Sequence, residues 1–307
     1  MWIYLGIFSA IFLGMYDVSR KHALRQNAVL PVLFFATVFG ALFVLPIILL
    51  SRFRPELLPS SNFYLPTISA IAHLRIFAKA VIVSAAWALS YSALKNLPIS
   101  IASPFGATGL IWTLIGAVLL FHEQPTVLQY LGLGLMVISY YGFSVLGSKE
   151  GIIFYNNKWM TFIFLSTLLG SASAMYDKFL IQTAGYSPVA VQVWFSIYLP
   201  PVLGAVVLVS RLAGEKNILN PPFADKFVWR WSIPAIGGFL LVADFLYFKA
   251  ISCHGSLIAT ISTLRASCIA VSFIVGGLLF RELRLSSKAM ALAGTLAGIG
   301  LILLSKP

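Results

Sequence analysis

The sequence is short of charge, and shortest of acid. Only 10% of its 307 residues are Asp, Glu, Lys or Arg, against about a quarter in soluble domains. With 60% hydrophobic residues, a soluble globule could not solvate its own surface, so the class is an all-α integral membrane protein. Nine acidic residues stand against 21 basic ones, a net charge of +12. In a soluble protein that surplus would point to nucleic acid. Here Lys and Arg flank apolar runs and meet anionic headgroups, so membrane lipid is the expected partner and nucleic acid is not.

Cysteine is scarce too. Cys253 and Cys268 lie in or beside apolar runs and offer neither a disulfide framework nor a metal-ligand spacing. His22, His73, His122 and His254 fall near the ends of apolar runs. No hydrolytic, redox or phosphate-cradling grouping stands out, so neither an enzyme nor a cofactor or metal is expected. Met1 opens an apolar stretch too long for a signal-peptide core, and the first helix is expected to stay.

What the chain does have is long apolar runs and a repeat. A membrane span needs about 20 mainly apolar residues. Ten such runs are present, near Trp2–Leu24, Leu30–Leu50, Ala72–Leu94, Ile99–Phe121, Val127–Leu146, Trp159–Ile181, Pro188–Val209, Trp231–Ile251, Ser256–Phe280 and Lys288–Leu304. Met15-Tyr16-Asp17, near the end of the first run, recurs as Met175-Tyr176-Asp177 near the end of the sixth. Leu119-Leu120-Phe121-His122-Glu123 returns as Leu278-Leu279-Phe280-Arg281-Glu282. These offsets predict two units, residues 1–148 and 156–307, fused head to tail. An odd number of spans per unit turns the second upside down, and inverted repeats share a site near the bilayer midplane. The fold class expected is therefore ten transmembrane helices in two inverted five-helix repeats.

Ionisable groups inside a span are costly and by default mark a pathway. Arg265 is the clearest, roughly 14 Å into its run at ~1.5 Å per residue. It is a candidate anchor for an anionic solute, or one half of a structural pair. Asp244 is its natural partner and could carry a proton. Lys79 is either a pathway residue or a snorkelling one. Asp17 and Asp177 sit symmetrically at the two mouths of a shared cavity, or are interfacial, Asp17 paired with Lys21 and Asp177 beside Lys178. Trp87 with Tyr91, and Tyr247 with Asp244, share helical faces that could line a cavity for amphipathic solutes, or else pack. Glu123 and Glu282 precede helices and read as structural. Gly294 and Gly298 form a helix-packing signal, buried within one protomer or used to dimerise.

The junction Leu120-Phe121-His122-Glu123-Gln124-Pro125-Thr126, its echo at Leu279-Phe280-Arg281-Glu282, and the two five-span units resemble the EamA-type transporters of the drug/metabolite transporter superfamily. The resemblance implies a secondary transporter of small polar or anionic metabolites, amino-acid-like solutes or drugs. It implies export by alternating access through a cavity lined by spans one, three, four, six, eight and nine. It also implies a multi-pass protein of the cell (plasma or inner) membrane with cytoplasmic termini. Most basic residues here fall on the side opposite the termini, which by the positive-inside rule favours the reverse orientation. A non-transporting scaffold or flippase-like lipid-handling protein is the alternative, and it should satisfy Asp244 and Arg265 internally.

Overall fold

The computed structural model describes residues 2–58, 63–106, 108–121, 126–148, 157–212, 226–253, 256, 258–280 and 285–304. All regular structure among them is helical: α1 (Trp2–Leu24), α2 (Val29–Phe53), α3 (Ala70–Asn96), α4 (Ile99–Gly106), α5 (Gly109–Phe121), α6 (Val127–Ser148), α7 (Lys158–Lys178), α8 (Pro188–Leu212), α9 (Ser232–Ile251), α10 (Ile258–Ala266), α11 (Cys268–Val271), α12 (Gly277–Phe280) and α13 (Leu285–Leu304). Seven helical stretches are long and apolar enough to cross a membrane, and three shorter apolar helices run Gly109–Leu120, Val127–Ser139 and Lys288–Leu304. The expectation of ten full-length spans is thus met in length and composition by seven. Large apolar side chains face outward along them, among them Ile138, Leu278 and Met290, as lipid contact requires. The protein is a multi-pass membrane protein.

The elements start and stop for local reasons. Ser69 caps α3 by accepting from the Ala72 amide at 3.3 Å, and Asn157 caps α7 by accepting from the Trp159 amide at 2.9 Å. The far end of α3 leaves carbonyls without intrahelical donors. Lys21 Nζ donates to two of them, Leu94 O and Leu97 O, each at 2.6 Å. Pro46 lies within α2, and Pro200 and Pro201 within α8, where neighbouring helices can re-satisfy the backbone groups that proline frees.

Two expected spans are broken. Run 99–121 is interrupted between α4 and α5, where Thr108 Oγ1 donates back to Phe105 O at 2.7 Å. Run 256–280 is interrupted at Ser267, whose Oγ donates back to Leu264 O at 2.6 Å. In both, a hydroxyl three residues on competes for a carbonyl of the ladder. Two wide π-turns follow, Phe179–Thr183 at the end of α7 and Ser272–Gly276 between α11 and α12.

The helices pack as α1 along α9, α3 along α7, α2 against α8 and α9, and α6 along α13. Cross-chain bonds fix which ends meet. His22, near the end of α1, meets Ser232 at the start of α9. Tyr176, near the end of α7, donates to Arg75 O near the start of α3. The end of α1, the end of α3 and the starts of α7 and α9 therefore share one side, called here the far side. The start of α1 and the end of α7 share the near side.

α6 and α13 cross at Gly132 and Gly298. A Cβ at Gly298 would stand 2.6 Å from Gly132 O, so the signal at Gly294 and Gly298 is used inside one protomer. Gly298→Ala is expected to lower stability by about 1–3 kcal/mol through overpacking. Gly300→Ala, with nothing within 4 Å, should be neutral or gain up to ~1 kcal/mol of helix propensity. Thermal unfolding in detergent checks both, and equal losses at the two positions would refute the close crossing.

Candidate functional site

A cavity of about 370 Å³ lies between the helices, walled by α1, α3, α4, α5, α7, α9 and α10 with side chains from α8 and α11. Its lining reaches Arg20, Leu94 and Ile163 toward the far side. Toward the near side it stops at Lys79 and Asp177, with Phe195 and Phe248 beside them. Seven of the eight residues singled out in the sequence line it: Asp17, Lys79, Trp87, Asp177, Asp244, Tyr247 and Arg265. Tyr91 does not. It is 1% exposed and, with Trp87, borders a smaller void of about 20 Å³, room for roughly one water.

The charges in the wall come in pairs. Arg265 Nη2 donates to Asp244 Oδ1 at 2.8 Å, the partnership expected from the sequence. The guanidinium also lies 4.2 Å from the centroid of the Tyr247 ring. α9 carries Asp244 and Tyr247 on one face, and α10 brings Arg265 to them just before its break at Ser267. Among the described residues the other Arg265 nitrogens have no protein hydrogen-bond partner, and the side chain keeps 18% exposure. Free donors of a buried cation therefore meet the cavity.

Lys79 does not snorkel. It is 2% exposed, and its ammonium is bonded to the Asp177 carboxylate. It also lies 4.6 Å and 4.5 Å from the Phe195 and Phe248 ring centroids. Lys178, the sequence neighbour, is not the partner of Asp177. The pair joins α3 to α7 and forms the near-side floor of the cavity.

Asp17 is not paired with Lys21, which is spent on the end of α3. Its Oδ1 accepts from Arg20 Nη2 at 3.0 Å and its Oδ2 accepts from Ser272 Oγ at 3.1 Å. Arg20 also donates from Nη1 to Ser90 Oγ at 3.1 Å, and its guanidinium lies over the rings of Tyr16 and Tyr91 at 5.1 Å and 4.9 Å from their centroids. Arg20 was passed over in the sequence because it looks like one of the basic residues flanking a span. Its signal was the three-residue spacing from Asp17, which places both on one helical face. The cavity is thus walled by three cations and three carboxylates, formally neutral. Glu123 and Glu282, and the junction they belong to, lie outside the described residues.

Residues 1–145 match the model of the EamA-like transporter family, as the resemblance implied, and that family consists of membrane transporters. No curated protein matches the chain. A protein known from its crystal structure is similar in fold, with a TM-score of 0.63 at 14% identity over 98% of this chain and 95% of its own.

The Lys79–Asp177 pair is testable on its own. Removing one partner of a buried pair leaves a charge uncompensated and costs about 3–5 kcal/mol, whereas replacing both with apolar residues is often near neutral. Lys79→Met or Asp177→Leu alone should lower the unfolding midpoint sharply, and the double variant should recover most of the loss. Additive losses would show that the two do not act as a pair.

Proposed function

We propose, from the EamA-like match over residues 1–145 and the charged cavity, that the protein is a secondary transporter of small polar solutes bearing a carboxylate. Arg265 is its anchor. The observation that carries this reading is that, among the described residues, the Arg265 guanidinium makes one protein hydrogen bond at a cavity wall. A membrane-buried arginine kept only for structure would turn all its donors to protein. Asp244 holds and orients it, and Tyr247 lies under its face.

Several features support the inverted-repeat arrangement over residues 1–148 and 156–307. α1 packs on α9 as α7 packs on α3, α2 faces α8, and α6 pairs with α13. Exchanging first-unit and second-unit helices maps this set onto itself. Asp17 and Asp177 of the repeated Met-Tyr-Asp lie toward opposite ends of one cavity, as inversion requires. In this reading the cavity opens to the far side, where the solute leaves, and the Lys79–Asp177 pair closes the near side. Rocking of the units would then expose the site alternately, and with the termini in the cytoplasm the observed state faces outward. Export is the direction we favour, on the family's habit alone. The cavity also weighs against a scaffold, which needs no polar lining beside an open space.

Transport into proteoliposomes of carboxylate-bearing solutes, detected by mass, tests the reading. Arg265→Gln should cut uptake of the true substrate at least tenfold, mainly through KM. This corresponds to the ~1.5–3 kcal/mol of a charged hydrogen bond. Arg265→Lys should restore part of it. Undiminished uptake by both variants would remove Arg265 from the site.

A further inference from the structure

The geometry points to Arg20 as a second carboxylate-binding position, at the far-side end of the same cavity. This rests on the transporter reading, but names a residue that lies on another helix and at another depth. Arg20 is near the end of α1 and Arg265 is near the end of α10. Two features set Arg20 apart from a structural arginine. Its ion pair is within its own helix, to Asp17 at 3.0 Å, and to α3 it reaches only through one hydroxyl bond to Ser90 and the Tyr91 ring. Second, among the described residues Arg20 Nε is buried with no hydrogen-bond partner, and Arg20 lines the cavity. It can only donate, and a buried donor left unmade costs about 1–3 kcal/mol.

A carboxylate oxygen drawn in from the cavity supplies an acceptor. Ser272 already holds the second oxygen of Asp17, so that carboxylate stays partnered when the guanidinium turns to the solute. The guanidinium lies over the Tyr16 and Tyr91 rings, contacts that help to pre-organise it for planar recognition. A solute leaving toward the far side meets Arg265 first and Arg20 next. Two positions of modest strength allow passage that a single tight one would block.

Arginine-specific labelling tests this on the full-length protein in liposomes. Phenylglyoxal is added with benzoate or with its neutral counterpart benzyl alcohol, and modification is read at each arginine by peptide mass spectrometry. Benzoate should slow modification of Arg20 and of Arg265 at least threefold, while benzyl alcohol slows neither. In Arg265→Gln protein, protection of Arg20 should persist. If Arg265 is protected while Arg20 is unreactive or unprotected, Arg20 is not a binding position and the anchor role of Arg265 stands. If Arg20 alone is protected, this inference holds and the anchor role falls. If neither is protected, both fall.

Discussion

No charge in the middle of this bundle can stand alone. An ionised group at membrane depth loses its hydration, and the loss is recovered only by a partner of opposite sign. The chain places six charged side chains around one cavity and pairs them as Arg20 with Asp17, Lys79 with Asp177, and Arg265 with Asp244. That requirement dictates which helices must meet. α3 and α7 are brought together at Lys79 and Asp177, and α9 and α10 at Asp244 and Arg265. Three aromatic residues, Phe195, Phe248 and Tyr247, screen these cations from the near side.

The three pairs are not equivalent, and their differences suggest a division of labour. The Lys79–Asp177 pair links residues from opposite halves of the sequence and is almost wholly shielded, with side-chain exposures of 3% and 5%. It has the character of a closure. The Arg265–Asp244 pair retains exposure to the cavity and has donors to spare, the character of a binding position. The Arg20–Asp17 pair sits within one helix and reaches the other half only through the Ser272 hydroxyl. Such a hydroxyl contact, worth about 1.5–3 kcal/mol to a charged group, is easier to break than a buried ion pair. At the far end the contact between the two halves is a hydroxyl, and at the near end, where the lining stops, it is an ion pair.

Much of this could be read from the sequence, where the signal was a charge in an apolar context. Arg265 and Asp244 stood out against long apolar surroundings, and the structure pairs them. The recurrence of Met-Tyr-Asp located Asp17 and Asp177, and residues 1–145 match the family whose motifs the chain resembles. Sequence reading failed where a charge lay near the end of a span, because depth and snorkelling cannot be separated by counting residues. From the sequence Lys79 is either a pathway or a snorkelling residue and Arg20 looks like a basic residue flanking a span, yet both turn inward. The same ambiguity bears on sidedness. Arg20, Lys21 and Lys288 are among the basic residues that fall on the side opposite the termini. Arg20 lines the cavity, Lys21 caps α3, and Lys288 is 0% exposed. Discounting them weakens the case for termini outside and narrows the disagreement with the family orientation.

The helix breaks were also hidden, because a threonine or serine in an apolar run carries no clear sign of where a ladder will open. Their placement nevertheless fits the charge arrangement. The break at Ser267 follows Arg265, and the π-turn after it delivers Ser272 to Asp17. The other π-turn, Phe179–Thr183, follows Asp177 directly. Wide turns inside helices cost backbone regularity and cluster at functional sites. Here one adjoins each aspartate of the repeated tripeptide. Irregular backbone at these two points is what lets a bundle of packed helices present opposite charges to one another and still leave a space between them.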